Sequence, residues 1–155
     1  MTTEIERKFL VKPELWLTVN KGTGKQYVQG YLLTEPGKTI RVRIGGDQGF
    51  LTIKGATKGI SRSEFEYEIP VADAEQLLKQ FCAALVAKTR YEIEHKGKHW
   101  EVDVFAGDNE GLVVAEIELA AEDEAFELPD WVDQEVSDDE RYYNAYLSAR
   151  PYKTW

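Results

Sequence analysis

The sequence predicts a mainly β protein of the α+β class, in which eight antiparallel strands form a barrel flanked by a few helices. Apolar and charged residues alternate with a period of two, which places successive side chains on opposite faces of a strand. Eight such runs are closely spaced, and eight strands suffice to close a barrel around a small ligand. Short turns join most of them, which favours antiparallel neighbours.

The predicted strands are bounded by glycine, proline and other turn-forming residues. They cover residues 3–11, 26–34, 39–45, 50–54, 62–69, 86–95, 98–105 and 112–119. Gly30, inside the second strand, indicates a bulge or the close approach of another backbone. Hairpins are predicted across residues 45–49 and about Gly97.

Two helical segments are predicted in the first two thirds of the chain. Pro13, at a first-turn position, predicts a short turn that reaches residue 17. Asp73 is a candidate N-cap with Gln76 three residues later, and apolar residues at helical spacing predict a helix over 73–84. Cys82 falls on the apolar stripe of this helix, so we interpret it as a core residue.

The last predicted helix begins at a capping box formed by Ser137 and Glu140. It runs to about residue 149 and is stopped by Pro151. The acidic stretch 120–130 that precedes it is predicted to be rich in turns.

Composition indicates one soluble globular domain spanning residues 1–155, with 43% hydrophobic and 30% charged residues. A net charge of −9 argues against nucleic acid or an anionic membrane as partner. A single cysteine excludes an internal disulfide, and no leader or membrane-spanning run is visible, so we expect a cytoplasmic protein. His95 and His99 lack the helical spacing of a zinc pair and are expected to be exposed on a hairpin. The sequence does not decide between a monomer and a homodimer.

Charged residues of like sign recur two positions apart along the strands. On the first strand Glu4, Glu6 and Lys8 share one face, where two carboxylates lie about 7 Å apart and repel each other unless a cation intervenes. The same spacing recurs at Arg41 and Arg43, Glu64 and Glu66, Lys88 and Arg90, Glu101 and Asp103, and Glu116 and Glu118.

The conventional arrangement would bury the apolar faces and expose the charged ones. An exposed face would mix the two signs, whereas this chain groups them. We therefore predict the inverted arrangement, in which charged faces line a wet tunnel and the helices partly cover the apolar exterior. Carboxylates bind Mg²⁺ or Mn²⁺, and clustered Arg and Lys bind phosphate oxygens, so a metal-bound polyphosphate suits this lumen.

The motifs follow an order that resembles the CYTH superfamily, the triphosphate tunnel metalloenzymes. The likeness covers nearly the whole chain. Its motifs are Glu-x-Glu-x-Lys at 4–8, Gln-Gly-Tyr-Leu at 29–32, Arg-x-Arg at 41–43, Thr-x-Lys at 52–54, Glu-x-Glu at 64–66, Lys-x-Arg-Tyr at 88–91, Glu-x-Asp at 101–103, Glu-x-Glu at 116–118 and Arg-Tyr-Tyr-Asn at 141–144.

The resemblance implies an eight-stranded antiparallel tunnel that binds a triphosphate together with Mg²⁺ or Mn²⁺. It is greatest to the small bacterial enzymes that hydrolyse inorganic tripolyphosphate and release phosphate. The implied substrate-binding residues are Lys8, Arg41, Arg43, Lys54 and Arg90. The implied metal ligands are Glu4, Glu6, Glu64, Glu66, Asp103, Glu116 and Glu118. Tyr31 and Lys88 are the candidates for proton handling.

Other functions remain open at this point. The family also contains class IV adenylate cyclases and thiamine triphosphatases, which share the anionic tail of the substrate. A third alternative is a module that binds polyphosphate without turning it over. The family's carboxy-terminal helix can close one tunnel mouth, and here it has either that role or one in packing alone.

Overall fold

Eight antiparallel strands close into a barrel, which confirms the predicted fold class. The computed structural model describes residues 1–155. Its strands are β1 Thr2–Val11, β2 Lys25–Glu35, β3 Lys38–Gly45, β4 Gln48–Gly55, β5 Ser61–Ile69, β6 Val86–His95, β7 Lys98–Phe105, β8 Val113–Glu118 and β9 Val132–Glu135. Its helices are α1 Pro13–Trp16, α2 Val71–Phe81 and α3 Asn144–Ala149. The order around the barrel is β5, β4, β3, β2, β6, β7, β8 and β1, and β1 closes the ring by pairing with β5.

Two tight hairpins set the register of neighbouring strands. Gly45 of β3 pairs with Gln48 of β4, so the turn between them is shorter than the predicted one. The hairpin of β6 and β7 has the predicted bounds. Its turn residues Lys96 and Gly97 have φ values of 48° and 80°, the left-handed geometry of a type I′ turn.

The outer face of β1, β7 and β8 is apolar and is covered by α1 and the chain after β8. Trp100 of β7 is fully buried, and its ring centroid lies 5.5 Å from Phe9, 5.9 Å from Phe126 and 5.8 Å from Trp131. Trp16 of α1 packs edge-on against Trp131 at 5.6 Å. Aromatic pairs of this kind add about 0.5–1.5 kcal/mol beyond their buried area. An aromatic layer therefore lies outside the barrel, as the inverted arrangement requires.

The outer face of β2, β3 and β4 lies under α2. Ala74 and Leu78 of the helix are buried against Val42 of β3. The helix ends at Phe81, earlier than predicted, and the extended residue after it, Cys82, comes so close to β2 that a Cβ added at Gly30 would lie 2.8 Å from both its Cβ and its Sγ. This is the close approach that the glycine indicated, and Cys82 packs against the same apolar cluster, in agreement with its predicted structural role.

A smaller apolar cluster lies inside the barrel, at one end, beneath α3. Val86, Phe105 and Val114 point inward because they share the strand faces that carry the charges of β6, β7 and β8. Leu147 of α3 is fully buried against them. The helix is thereby packed across this end of the lumen, next to the charged cavity.

The two predicted capping signals are wrong. The helix α2 begins at Val71 after Pro70, so Asp73 lies in its first turn and caps nothing. Ser137 also caps no helix: its Oγ accepts the backbone N–H of Lys8 at 2.9 Å and donates to Glu135 Oε2 at 2.7 Å.

The chain after Ser137 consequently forms shorter elements than predicted. A 3₁₀ turn covers Glu140–Tyr142, Tyr143 is extended, and α3 begins only at Asn144. The short strand β9, which the sequence pattern did not predict, pairs with the end of β1. Further 3₁₀ turns cover Gly107–Asn109 and Tyr152–Thr154. No helix has the length and apolar character needed to cross a bilayer.

Candidate active site

The charged faces of the strands line one cavity of about 910 Å³ inside the barrel. Strand order sorts these side chains by sign. The strands β4, β3 and β6, the last two separated only by β2, carry the basic half, defined as Arg41, Arg43, Lys54, Lys88 and Arg90. The strands β7, β8, β1 and β5 carry the acidic half, defined as Glu4, Glu6, Glu64, Glu66, Glu101, Glu116 and Glu118. Lys8 and Arg62 are the basic side chains within the acidic half.

At one boundary between the halves, Lys54 and Arg62 hold Glu4. The Nζ of Lys54 lies 2.8 Å from Glu4 Oε2 and 3.4 Å from Glu64, and Arg62 Nε lies 3.2 Å from Glu4 Oε1. Burial acts to raise the pKa of Glu4, but Lys54 and Arg62 outweigh it and bring the pKa to about 2. Glu4 is therefore ionised at neutral pH.

At the other boundary, Asp103 binds two cations of β6. It lies 2.8 Å from Lys88 Nζ and accepts two hydrogen bonds from Arg90, at 2.8 and 2.9 Å. Asp103 is 1% exposed, and it does not line the cavity. Burial lowers the pKa of Lys88 to about 8, although Asp103 opposes the shift. Arg90 also donates to Glu101 at 3.0 Å.

The centre of the acidic half brings together two carboxyl groups, those of half-buried Glu6 and buried Glu116. Glu116 lies 3.3 Å from Lys8 Nζ, which is its ion-pair partner. Burial, followed by the negative charges of Glu116 and Glu4, raises the pKa of Glu6 to about 8. Buried carboxylates that repel one another are stabilised when a divalent cation lies between them. An all-oxygen set of this kind fits Mg²⁺ or Mn²⁺.

Arg41 and Arg43 lie side by side in the basic half, and nearby carboxylates only weakly neutralise their positive charges. Arg41 donates to Thr52 at 3.2 Å, and its distance to Glu66 is 3.7 Å. Arg43 lies 3.8 Å from Glu66 and stacks over the ring of Tyr27 at 4.9 Å. Burial, together with the charges of Arg41 and Arg90, lowers the pKa of Arg43. The strands thus hold adjacent guanidinium groups in a field that favours an anion.

The carboxy-terminal segment fixes two amines of the tunnel. Lys8 Nζ donates to the carbonyl oxygen of Tyr142 at 3.3 Å and lies 5.3 Å from the centre of the Tyr143 ring. Lys88 Nζ donates to Asn144 Oδ1 at 3.1 Å, at the start of α3. Several residues of α3 also line the cavity. The helix therefore both packs against the barrel and forms part of the wall of the tunnel.

Comparison with known proteins identifies the family. The profile of the CYTH domain matches residues 2–144. The chain belongs to the CYTH domain family.

Two curated relatives extend this CYTH match over nearly the full chain. One, from Acetivibrio thermocellus, is 46% identical over 100% of this chain and 99% of its own length and is named inorganic triphosphatase. Another of the same name, from Nitrosomonas europaea, is 39% identical over 94% of this chain and 97% of its own length. A crystal structure of an inorganic triphosphatase superposes with a TM-score of 0.67 at 37% identity, covering 96% of this chain and 95% of the other.

The CYTH barrel brings almost all of the predicted site residues together. Those that line the cavity are Tyr31, Lys88, Lys8, Arg41, Arg43, Lys54, Arg90, Glu4, Glu6, Glu64, Glu66, Glu116 and Glu118. Asp103 is the exception: it is buried against Lys88 and Arg90, which themselves line the cavity. Tyr31, which is half-buried, faces the cavity opposite Arg41 in the register.

Three side chains of the site had no role predicted from the sequence. Arg62 lies two residues before Glu64 and so on the same face of the strand, and the alternating pattern could therefore have placed it in the tunnel. Glu101 likewise shares the inward face of Asp103. Asn144 lies at the end of the Arg-Tyr-Tyr-Asn motif, but its contact with Lys88 depends on the path of the chain after β9, which the sequence did not predict.

Proposed function

We propose that this CYTH protein is a metal-dependent inorganic triphosphatase. It adds water to tripolyphosphate, breaks one phosphoanhydride bond and releases orthophosphate and pyrophosphate. The observation that carries the proposal is the division of one cavity inside the barrel into a basic half and an acidic half. Two full-length relatives named inorganic triphosphatase support the same substrate class.

The basic half would bind the phosphoryl oxygens. Arg41 and Arg43 provide neighbouring guanidinium forks, and Arg90 approaches from the far side of β2. Hydrogen bonds between charged partners contribute about 1.5–3 kcal/mol each. Binding an anion would also relieve the repulsion among these cations. Lys54 and Lys8, which both line the cavity, complete the set of proposed phosphate ligands.

The acidic half would hold Mg²⁺ or Mn²⁺. The proposed ligands come from the three strands β1, β8 and β5: Glu4, Glu6, Glu116 and Glu118, with Glu64 and Glu66 as further ligands or supports. A divalent cation bound there would neutralise phosphate charge and lower the pKa of an attacking water. Asp103, also predicted as a ligand, is better placed to hold Lys88 and Arg90 in position.

Lys88 and Tyr31 are the proposed proton-handling groups. Lys88 Nζ has two hydrogen-bond partners, Asp103 and Asn144, which leaves one ammonium donor for a phosphoryl oxygen. With a pKa of about 8, this amine is mostly protonated at neutral pH and so acts there as a cation and a proton donor. The Tyr31 hydroxyl, at the cavity surface, would orient the attacking water.

A substrate panel tests this proposal. Phosphate release is measured from tripolyphosphate, pyrophosphate, ATP and thiamine triphosphate, each with Mg²⁺, with Mn²⁺ and without metal. We expect turnover of tripolyphosphate that requires metal and is lost in Glu6→Gln, whereas Glu75→Gln, at an exposed position on α2, retains it.

Other outcomes of the panel would replace the proposal. Preferential turnover of thiamine triphosphate, or formation of cyclic AMP from ATP, would assign one of the related enzyme activities instead. Tight binding of tripolyphosphate without any turnover by the metal-loaded protein would identify a polyphosphate-binding module.

A further inference from the structure

The hairpin of β6 and β7 carries a second group of metal-ligating side chains, at the end of the barrel remote from α3. Glu92, His99 and Glu101 each place one donor atom within 4.8 Å of those of the other two. Glu92 lies six residues along β6 from Val86, which packs under α3, a distance of about 20 Å along a strand. The group therefore lies at the opposite rim of the tunnel.

Strand register brings these side chains together on the inward face. Glu92 is directly opposite Glu101 in the β6–β7 ladder, and Glu94 is directly opposite His99. Two carboxylates facing each other across a ladder are destabilising unless a cation lies between them. Glu101 has Arg90 as one partner, whereas the polar atom beside Glu92 Oε1 is His99 Nε2, at 3.5 Å.

The His99 ring is oriented as a metal ligand would be. Its Nδ1 is hydrogen-bonded to Glu94 Oε1, and its Nε2 faces Glu92 Oε1 at 3.5 Å. A carboxylate on one ring nitrogen fixes the tautomer, so that the other nitrogen presents its lone pair, as in carboxylate–histidine–zinc triads. Two donors on one Zn²⁺, each at about 2.1 Å, are about 3.4 Å apart at the tetrahedral angle.

We propose that Glu92, His99 and Glu101 form a second cation site at the rim of the tunnel, which binds Zn²⁺ or a similar borderline transition-metal ion. A mixed set of imidazole and carboxylate selects such ions over Mg²⁺, which prefers oxygen ligands alone. The carboxylates proposed to hold Mg²⁺ or Mn²⁺ offer only oxygen and do not include Glu101, so the two sites differ in chemistry as well as in position. Because Glu101 also pairs with Arg90, a metal ion bound at the rim would weaken the ion pair between these two residues.

Nuclear magnetic resonance of the imidazole groups tests the rim site in the wild-type protein. The chain has only two histidines, so His95 on the same hairpin is an internal control. Mg²⁺ is first added to saturation, and Zn²⁺ is then titrated. We expect the His99 signals to shift and to saturate at one equivalent of Zn²⁺, while the His95 signals stay in place. His99 signals that do not respond, or that move no more than those of His95, would overturn the proposal.

Calorimetric titration of the Mg²⁺-saturated protein with Zn²⁺ compares the wild type with matched variants. His99→Gln should lose the one-equivalent Zn²⁺ binding event, and His95→Gln should keep it. Glu94→Gln should weaken it by about 10–100-fold, as is typical when a carboxylate that orients a ligating histidine is removed. Equal Zn²⁺ affinity in wild type and His99→Gln would overturn the proposal. These binding measurements do not depend on whether the tunnel hydrolyses triphosphate.

Discussion

Arg43 offers the sharpest separation of a binding role from a structural one. Its guanidinium lies 3.8 Å from Glu66, its ion-pair carboxylate, and its pKa is lowered by burial and by the neighbouring charges of Arg41 and Arg90. The charge of Arg43 therefore contributes little to the stability of the folded, ligand-free protein. In the proposed complex, by contrast, its guanidinium donates two hydrogen bonds to the substrate.

The substitution Arg43→Gln should consequently affect activity far more than stability. Losing two charge-assisted hydrogen bonds, at about 1.5–3 kcal/mol each, removes about 3–6 kcal/mol from the transition state. This corresponds to a fall in kcat/KM for tripolyphosphate of about 10²–10⁴-fold. The free energy of unfolding should change by no more than about 1 kcal/mol, since relief of repulsion offsets the lost stacking on Tyr27. In a protein of this size that is a shift in Tm of about 2–4 °C.

Steady-state phosphate release and thermal unfolding of the metal-free protein measure the two effects. Arg7→Gln is the matched control, because Arg7 is on the same barrel but outside the cavity, beside Glu135 and the ring of Phe126. We expect Arg7→Gln to retain kcat/KM. The reasoning is refuted if Arg43→Gln retains full activity, or if it unfolds many degrees lower, which would show that Arg43 serves to hold the barrel together.

Three further predictions follow from the same structure. Because the pKa of Lys88 is about 8, the rate of phosphate release should decline as the pH rises through 8, where the amine loses its charge. Lys88→Arg should remove that decline, since arginine remains protonated. A wild-type rate that stays constant well above pH 8 would contradict this prediction. Glu116→Gln should weaken Mn²⁺ binding at least about tenfold in a calorimetric titration, because it removes a proposed ligand, and an unchanged affinity would exclude Glu116 from the metal site. Gly30→Ala should destabilise the protein by about 1–3 kcal/mol in urea unfolding, since the new Cβ would meet Cys82, whereas unchanged stability would show that α2 moves away freely.

The barrel could be predicted because the information that specifies it is local. A period of two identifies a strand and assigns each side chain to a face, so Glu4 and Lys8, or Lys88 and Arg90, fall together without any tertiary knowledge. Grouping of like charges then indicated which face points inward. The structure shows why the grouping exists: like-charged strands are neighbours, so one half of the lumen is basic and the other acidic.

What the sequence could not predict depends on contacts between distant segments. Ser137 has a capping sequence, but its hydroxyl bonds the backbone of Lys8, a partner that only the fold provides. The same applies to Asp103: its spacing from Glu101 resembles that of a metal ligand, yet pairing of β6 with β7 places it beside Lys88 and Arg90. The alternation of side chains along a strand does not by itself distinguish a proposed metal ligand from a counter-ion of the residues proposed to bind phosphate.

The central claim is that a cation and a triphosphate are held between the two halves of the lumen. A crystal structure of the wild-type protein, soaked with Mn²⁺ and tripolyphosphate at a pH that prevents turnover, tests it most directly. The account predicts anomalous Mn²⁺ density against Glu116 and Glu118, with phosphoryl oxygens on Arg41 and Arg43. Tripolyphosphate bound outside the barrel, or Mn²⁺ density absent from the lumen, would contradict it.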